Sequence, residues 1–507
     1  MLHRNKASNQ ALAWIIAAGT LAAVCTTSSA QPRRPGQEPK EPAQSAQPQQ
    51  PATPTPVAPA PAPTPDPTPA APAPAIPAQP SRPGRAPMTP AAPAPAAPAA
   101  PAQPGAVPPA AVPVPTGPSF LDNVIKSGRT RNWTLKVQVH LAAYQTDPNK
   151  LGRPGNKELQ VIPLKFDTAA VVFPVPYGSA GHITDTDSVT GTLYFDDRPV
   201  DTDIDFADNY AAGTRLARWE MLKREGRELD LKLDVPMTTW ETVFDEKLAE
   251  RAIWPAGGVW PGEAASTLMP SQGNRLDPVD FTNPIITERV AQWTGGNDPT
   301  KVKPVVLAKF LAGKVLEATQ PSGLGLVNNR NGEVEGFELQ GASRTLELGR
   351  GSEHDIACLL CAVYRAAGLP ARTVIGYDIK ESKGEDSGFL KGKGSAKIRS
   401  WVEFYLFDES ANKGIWVPVD IVRQRKSSSR PPALDRPWKF FGTNDELDDV
   451  MPVAFQYHPP TTVVAHGSPA FWGWLTTPKL QQGASQYIQF QSMSTPNRGK
   501  PKAPRRE

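Results

Sequence analysis

The feature that most limits how this chain can fold is a long proline-rich stretch near its start. Residues 31–118 hold more than half of the chain's 59 prolines, mixed with Ala, Gln and Thr and almost no large apolar side chain. Such a segment cannot bury enough apolar surface to offset its loss of conformational entropy, so we expect it to be disordered. We interpret it as a plain spacer, with a proline-rich ligand for a partner domain as the alternative.

The first thirty residues have the pattern of a secretory signal peptide. A basic start is followed by an apolar run at 11–24 and by small residues that end at Ala30. The run is shorter than the roughly 20 residues that cross a bilayer. We therefore predict export through the secretory pathway to a periplasmic or extracellular location, with no transmembrane anchor after cleavage. A permanent anchor and lipidation of Cys25 are the alternatives, and Val24 counts against the second.

Length and composition bound the rest of the chain, which is long enough for two or three domains with their own cores. The net charge is only +4, and no zinc spacing, glycine-rich phosphate loop or internal repeat is visible. We therefore expect no cofactor, no metal and no nucleic-acid partner, and the oligomeric state stays open. We expect the basic tail at 498–507 to be a solvated terminus, with weak contact to an anionic polymer as the alternative.

Alternating apolar residues, as at 134–141 and 227–235, predict a β-sandwich-like domain over 119–260. One stretch inside it, TRLARWEMLKREG at 214–226, is rich in helix-forming residues, and we predict a helix there. Two further helices are predicted to start at Asn283-Pro284 and Asp298-Pro299, because proline is well tolerated in the first turn.

The stretch GRGSEHDIACLLCAVYRAAGLPAR at 349–372 predicts a capped amphipathic helix. Ser352 with Asp355 three residues later fits a capping box, and Gly368 with Pro370 stops the helix. Three strands are predicted after it, at 371–377, 398–407 and 414–420, with a polar, glycine-rich loop at 381–395. The order is therefore a helix followed by an antiparallel meander.

These motifs resemble the transglutaminase-like superfamily, which has a papain-like fold. The resemblance is carried by YRAAGLPAR (364–372), Gly376-Tyr377, Trp401-Val402-Glu403 and Trp416-Val417-Pro418-Val419-Asp420. It implies an α+β fold class: a papain-like transglutaminase core, with a helix packed on an antiparallel sheet, preceded by the β-sandwich-like domain and the disordered proline-rich segment. The predicted domains are a signal peptide (1–30), a linker (31–118), a β domain (119–260), the transglutaminase-like domain (261–430) and a C-terminal extension (431–507).

The resemblance also implies a catalytic Cys-His-Asp triad, and two of its three positions are changed here. Motif spacing puts the nucleophile at residue 353 and the base at residue 399, which are Glu353 and Arg399, whereas Asp420 is retained. The charge order of thiolate, imidazolium and carboxylate would be preserved, so we predict a Glu353–Arg399–Asp420 ion network. Pairing with Arg399 should then lower the pKa of Glu353.

The neighbouring residues offer no obvious replacement for the lost thiol. Cys358 and Cys361 lie about one and two turns beyond position 353, too far to replace it, so we expect both to be core packing without a disulfide. His354 is expected to be a surface or capping residue, and Ser352 to be the cap. Asp355, Trp401, Glu403 and Trp416 complete the supporting motif.

Two functions fit this pattern. The first is an inactive transglutaminase-like protein, exported and carried on a proline-rich stalk, that binds peptides or cell-envelope polymers or acts as a scaffold. The alternative is an enzyme of acyl transfer or amide hydrolysis that uses a non-standard nucleophile, or Glu353 itself. A purely structural envelope protein is a third and less favoured interpretation.

Overall fold

The computed structural model describes residues 117–146, 159–161, 163–211, 213–270, 277–328, 333–379, 397–457, 471–478 and 484–494. The predicted signal peptide, nearly all of the proline-rich segment, the loop at 381–395 and the basic tail lie outside these ranges. The described residues form seven α-helices and twenty strands, and the sheets are almost entirely antiparallel. The predicted α+β fold class is thereby confirmed.

The strands, in chain order, are β1 (Ile125–Thr146), β2 (Leu159–Val161), β3 (Leu164–Pro176), β4 (Gly178–Ser179), β5 (His182–Thr184), β6 (Thr190–Phe195), β7 (Arg198–Val200), β8 (Asp205–Ala211), β9 (Thr214–Gly226), β10 (Glu228–Phe244), β11 (Gln320–Pro321), β12 (Leu326–Asn328), β13 (Val334–Phe337), β14 (Arg350–Gly351), β15 (Ala371–Asp378), β16 (Ile398–Asp408), β17 (Lys413–Val419), β18 (Val450–Ala454), β19 (Gly473–Thr477) and β20 (Ala484–Ser494).

The α-helices are α1 (Glu246–Ala249), α2 (Gly262–Ser266), α3 (Pro284–Trp293), α4 (Pro304–Ala318), α5 (Ala342–Leu348), α6 (Glu353–Ala366) and α7 (Ile421–Ser427). Helix α3 starts at the predicted place. Helix α4 starts later than predicted, because Pro299 opens only a short 3-10 turn and Pro304 occupies the first turn of the helix. None of the helices within the described ranges has the length and apolar composition that a membrane crossing requires.

A ten-stranded sheet is built around the long pair β1 and β10. Their buried side chains alternate, from Leu135 to Leu141 on β1 and from Leu229 to Met237 on β10, as the period-two pattern predicted. Strand β20 pairs with the other edge of β1, and β13 pairs with β20. Strands from the predicted C-terminal extension therefore complete a sheet of the predicted β domain.

A four-stranded sheet in the order β19-β3-β9-β8 packs beside it, and here one prediction is wrong. TRLARWEMLKREG is strand β9, not a helix. It pairs with β3 along nearly its whole length, and Ala217, Trp219 and Met221 are buried at alternate positions. Sheet pairing and the burial of one face outweigh the helix propensity of its Leu, Arg, Lys and Glu residues.

The third sheet has the order β17-β16-β15-β18 and carries helix α6 on one face. Every residue of β15 and β16 is buried. Helix α6 ends before Gly368, whose φ of 80° is the left-handed conformation that stops a helix. The predicted order of a helix followed by an antiparallel meander is confirmed.

Candidate functional site

Helix α6 starts at Glu353 because Ser352 caps it. The Ser352 Oγ atom accepts a hydrogen bond from the Asp355 backbone N–H at 3.2 Å, and the Asp355 carboxylate accepts one from the Ser352 N–H at 3.0 Å. This reciprocal pair is the predicted capping box. Asp355 also accepts hydrogen bonds from the backbone of Gln340 and Gly341. Ser352 and Asp355 therefore fix the helix start and place Glu353 in its first position.

The Glu353 carboxyl group occupies the position that motif spacing gives to the nucleophile. Its side chain is only partly buried, and it makes no hydrogen bond or ion pair with the described part of the chain. Burial, with repulsion from Asp420, raises the pKa of Glu353 to about 7, against the opposing pull of Arg399 and Arg423. The expected lowering of this pKa is therefore wrong, because desolvation outweighs the attraction of the guanidinium groups.

Arg399 is held by other carboxylates. Its Nε and Nη2 atoms lie 2.9 and 2.7 Å from Asp420 Oδ2, and its Nη1 atom donates to Glu446 Oε2 at 3.1 Å. No nitrogen of Arg399 comes within 4.0 Å of the Glu353 carboxylate. The Arg399–Asp420 part of the predicted network is therefore present, whereas Glu353 and Arg399 do not form an ion pair.

Three charged residues that the sequence interpretation missed complete this network. Asp378 lies 3.8 Å from Arg399 and 3.0 Å from Arg423, and Arg423 also lies 3.4 Å from Glu446. Arg423 could have been found from its spacing, since its N–H donates at 2.9 Å to Asp420, the cap of helix α7. Asp378 ends the strand that pairs with β16, whereas Glu446 has no comparable sequence signal.

His354 is not the surface or capping residue that we expected. It is fully buried, and its Nδ1 atom lies 2.8 Å from Ser400 Oγ and 3.2 Å from the Tyr457 hydroxyl. Burial lowers the pKa of His354 to about 3, so the ring is neutral. Its Nε2 atom has no hydrogen-bond partner among the described residues. His354 and Ser400, which directly follow Glu353 and Arg399 in the sequence, thus contact one another in the core.

Cys358 and Cys361 are core residues with free thiols, as the sequence predicted. Burial raises the pKa of Cys361 to about 11 and that of Cys358 well above its ordinary value. A thiol that stays protonated and shielded from water is a poor nucleophile. Neither cysteine is therefore placed to act as a nucleophile in this arrangement.

Glu403, from the Trp-x-Glu motif, pairs with Arg372, from the Pro-Ala-Arg motif. Arg372 Nε and Nη2 donate to one Glu403 oxygen at 3.0 and 2.8 Å, and both side chains are almost completely buried. The Arg372 guanidinium lies 4.1 Å from the ring centroid of Trp416 and 3.7 Å from that of Phe455. Arg372 also donates to the Gly178 carbonyl oxygen at 2.9 Å, so this pair ties the β4–β5 hairpin to the core sheet.

Trp401 supports the site by packing. It belongs to a small buried cluster with Val374, Leu447, Val450 and Phe455, and its ring centroid lies 6.0 Å from the Arg399 guanidinium carbon. Within the described residues, no group of three or more His, Cys, Asp or Glu side chains is arranged to hold a metal ion.

At the candidate site, a capped helix packs on an antiparallel sheet, and the motif arginine and glutamate are paired inside the fold. Residues 328–421 match the sequence profile of the transglutaminase-like superfamily. The chain therefore contains a transglutaminase-like domain, and the resemblance that its motifs suggested is confirmed.

Two solved bacterial structures are similar to this chain. A "putative cysteine protease" from Cytophaga hutchinsonii has 12% sequence identity and a TM-score of 0.41, and the match covers 73% of this chain and 93% of the other. A "putative protease" from Parabacteroides distasonis has 10% identity and a TM-score of 0.17, with 58% and 59% covered. No curated protein sequence matches this chain significantly.

Proposed function

We propose that this protein is an exported binding module of the cell envelope, built on a transglutaminase-like domain that does not catalyse thiol-dependent acyl transfer. Its ligands would be peptides or envelope polymers that dock near the start of helix α6. The proposal is carried by the residues at two positions: motif spacing puts Glu353 and Arg399 where the family has its nucleophile and its base, and Arg399 contacts Asp420.

The missing nucleophile is the first support. Acyl transfer by this type of fold needs a thiolate at a helix start, where the helix dipole and a nearby imidazolium lower the thiol pKa. Position 353 carries a carboxyl group instead. The two thiols of helix α6 are fully buried, and burial raises their pKa values.

The missing base is the second support. A guanidinium group stays protonated at any physiological pH and cannot accept a proton. Arg399 is in addition engaged by Asp420 and Glu446. The imidazole of His354 is no substitute, because it is enclosed in the core and hydrogen-bonded to Ser400 and Tyr457.

Amine incorporation tests the proposal directly. The mature native chain and the Glu353→Ala variant should show no hydroxylamine or alkylamine transfer to a glutamine peptide. A Glu353→Cys/Arg399→His double variant, which restores a thiol and an imidazole beside Asp420, should show measurable turnover. Transfer by the native chain that survives Glu353→Ala and is lost on alkylating Cys358 or Cys361 would contradict the proposal.

A second function is favoured by one observation, the pKa of Glu353 near 7. A carboxyl group that titrates near neutral pH is suited to act as a general acid or base in hydrolysis. Under this alternative, native protein would hydrolyse peptide amides or esters with a rate that changes around pH 7. The Glu353→Gln variant would lose that activity, and absence of hydrolysis by native protein would eliminate the alternative.

Export rests on the N-terminal sequence, and protein chemistry can test it. The N-terminus of the protein purified from its source cells should lie just after Ala30, and the protein should be found outside the cytoplasm. A cytoplasmic protein that retains its first thirty residues would contradict this part of the proposal.

A further inference from the structure

The segment 442–449, which carries Glu446, is fastened to the large β-sheet on both sides of that residue. Asn444 exchanges two backbone hydrogen bonds with Thr242, at 2.9 and 3.0 Å. Beyond Glu446, the Asp448 carboxylate lies 2.6 Å from Arg129 Nε and 2.8 Å from Arg131 Nε. The segment is thus held in place by β1 and β10, independently of the side chains at the start of helix α6.

Glu446 is the nearest carboxylate to Nη1 of Arg399, the nitrogen that Asp420 does not contact, and Asp378 lies 3.8 Å from the same nitrogen. Asp420 lies against Nε and Nη2, and the Glu446 carboxylate accepts a hydrogen bond from Nη1 at 3.1 Å. Glu446 also lies 3.4 Å from Arg423 Nε, which fixes its own orientation. The planar fork of Arg399 therefore has a carboxylate against each of its three nitrogens.

We infer that Glu446 is a positioning residue: together with Asp420 it holds the Arg399 guanidinium away from Glu353, so that Glu353 keeps a free carboxyl group at the candidate site. The inference rests on the proposed function, which gives that free carboxyl group its use in binding. If Glu446 were absent, Nη1 of Arg399 would lack its nearest partner and could turn to Glu353.

The charged groups around Glu353 determine how a movement of the Arg399 guanidinium toward it would change the Glu353 pKa. The charged and titratable groups that act on it are Arg399 from β16, Asp420 at the cap of helix α7, and Arg423 and Lys426 from that helix. Glu353 in turn acts on the Tyr457 hydroxyl. Burial and Asp420 favour the protonated form, whereas the three cations favour the ionised form. A guanidinium moved into contact with Glu353 would therefore lower its pKa.

The test is a titration of Glu353 in the full mature chain. Glutamate labelled with ¹³C at the side-chain carboxyl carbon gives an NMR signal that shifts on ionisation, and the Glu353→Gln variant identifies the signal. The Glu446→Gln variant should lower the Glu353 midpoint by at least about one pH unit. Glu446→Asp, which keeps the charge, should restore a midpoint close to the native one.

Two comparisons separate positioning from a simple loss of charge. Asp445→Asn removes a carboxylate from the same segment, but Asp445 pairs with Lys439 at the surface, so the midpoint should stay unchanged. In an Arg399→Gln background, Glu446→Gln should no longer shift the midpoint, because its effect acts through Arg399.

An equal shift with and without Arg399, or a Glu446→Gln shift no larger than that of Asp445→Asn, would overturn the inference. These outcomes are independent of the amine-incorporation assay. Acyl transfer by the native chain would refute the proposed function, but it would not affect the titration result. A Glu353 midpoint that does not move in Glu446→Gln would refute only the positioning role of Glu446. Thermal unfolding of each variant would confirm that it is folded at the titrated pH values.

Discussion

Two arginines on neighbouring strands of one sheet show how differently the same side chain can be used. Arg372 on β15 forms a buried pair with Glu403 and lies between two aromatic rings. Arg399 on β16 is shared among Asp420, Glu446 and Asp378. The first pair belongs to the Pro-Ala-Arg and Trp-x-Glu motifs, whereas Arg399 lies where motif spacing predicted the family's catalytic base. One arginine thus joins parts of the fold, and the other holds together the charged network at the candidate site.

The buried Arg372–Glu403 pair also makes contacts that are separate from the charged network around Arg399. Arg372 links the core sheet to the β4–β5 hairpin, and the Ala180 N–H donates to Glu403 Oε1 at 3.0 Å. Nothing in that contact depends on residue 353 or 399. The hairpin contact is therefore made without the side chains at positions 353 and 399.

The largest effect is expected from breaking the Arg372–Glu403 pair. Glu403→Gln removes the carboxylate that accepts two hydrogen bonds from the buried Arg372 guanidinium, and we expect a loss of about 3–5 kcal/mol in the free energy of unfolding. Chemical denaturation would measure it. Glu317→Gln removes a carboxylate from an exposed pair with Lys314 and should change stability by less than about 0.5 kcal/mol. Similar losses for the two variants would contradict the structural role of the buried pair.

A pH-dependent effect is expected at Glu353. Its pKa is raised from the ordinary value of 4.5 to about 7, so the folded state holds the proton more tightly than the unfolded state. This contribution to stability is fully present below about pH 4.5 and is lost as the pH rises through about 7. Above that pH, the neutral Glu353→Gln variant should be the more stable protein.

The expected gain for Glu353→Gln is roughly 3 kcal/mol at most at pH 8, and it should vanish near pH 4. Urea unfolding of native and variant chains at several pH values would measure it. A difference that does not change between pH 4 and pH 8 would show that the Glu353 pKa is not raised. Glu409→Gln, at a carboxylate on an exposed turn, is the control for a general effect of one lost charge.

The sequence was a good guide to the elements that depend on local signals. The capping box of Ser352 and Asp355, the stop at Gly368 and the two buried cysteines follow from spacing along one helix. The helix predicted at 214–226 failed because residues there have helix propensity, while pairing with β3 decides the structure. Alternate side chains in that stretch are buried by contacts with other parts of the chain, which helix propensity does not take into account.

The candidate site was predictable only in part, for a related reason. Motif spacing placed Arg399 and Asp420 together, since Arg399 lies on β16 and Asp420 directly follows its neighbouring strand β17. It did not show that Glu446, from a distant segment, would occupy the remaining nitrogen of Arg399. Nor did it predict the burial of His354, whose partner Ser400 becomes a neighbour only when the helix packs on the sheet. Both the third partner of Arg399 and the burial of His354 depend on contacts between segments that are distant in the sequence, which motif spacing does not show.

The smallest loss of stability is expected from a change in the neutral polar cluster of His354, Ser400 and Tyr457. A small loss there would contrast with the large loss expected at the buried charged pair. The Tyr457 hydroxyl lies 3.0 Å from Ser400 Oγ and 3.2 Å from His354 Nδ1. Tyr457→Phe keeps the ring and removes only the hydroxyl, so we expect a loss of about 1 kcal/mol. Because His354 is neutral, that loss should be the same at pH 5 and pH 8. A loss that grows at low pH would show that His354 takes up a proton once the hydroxyl is gone, and the cluster would then belong with the charged sites.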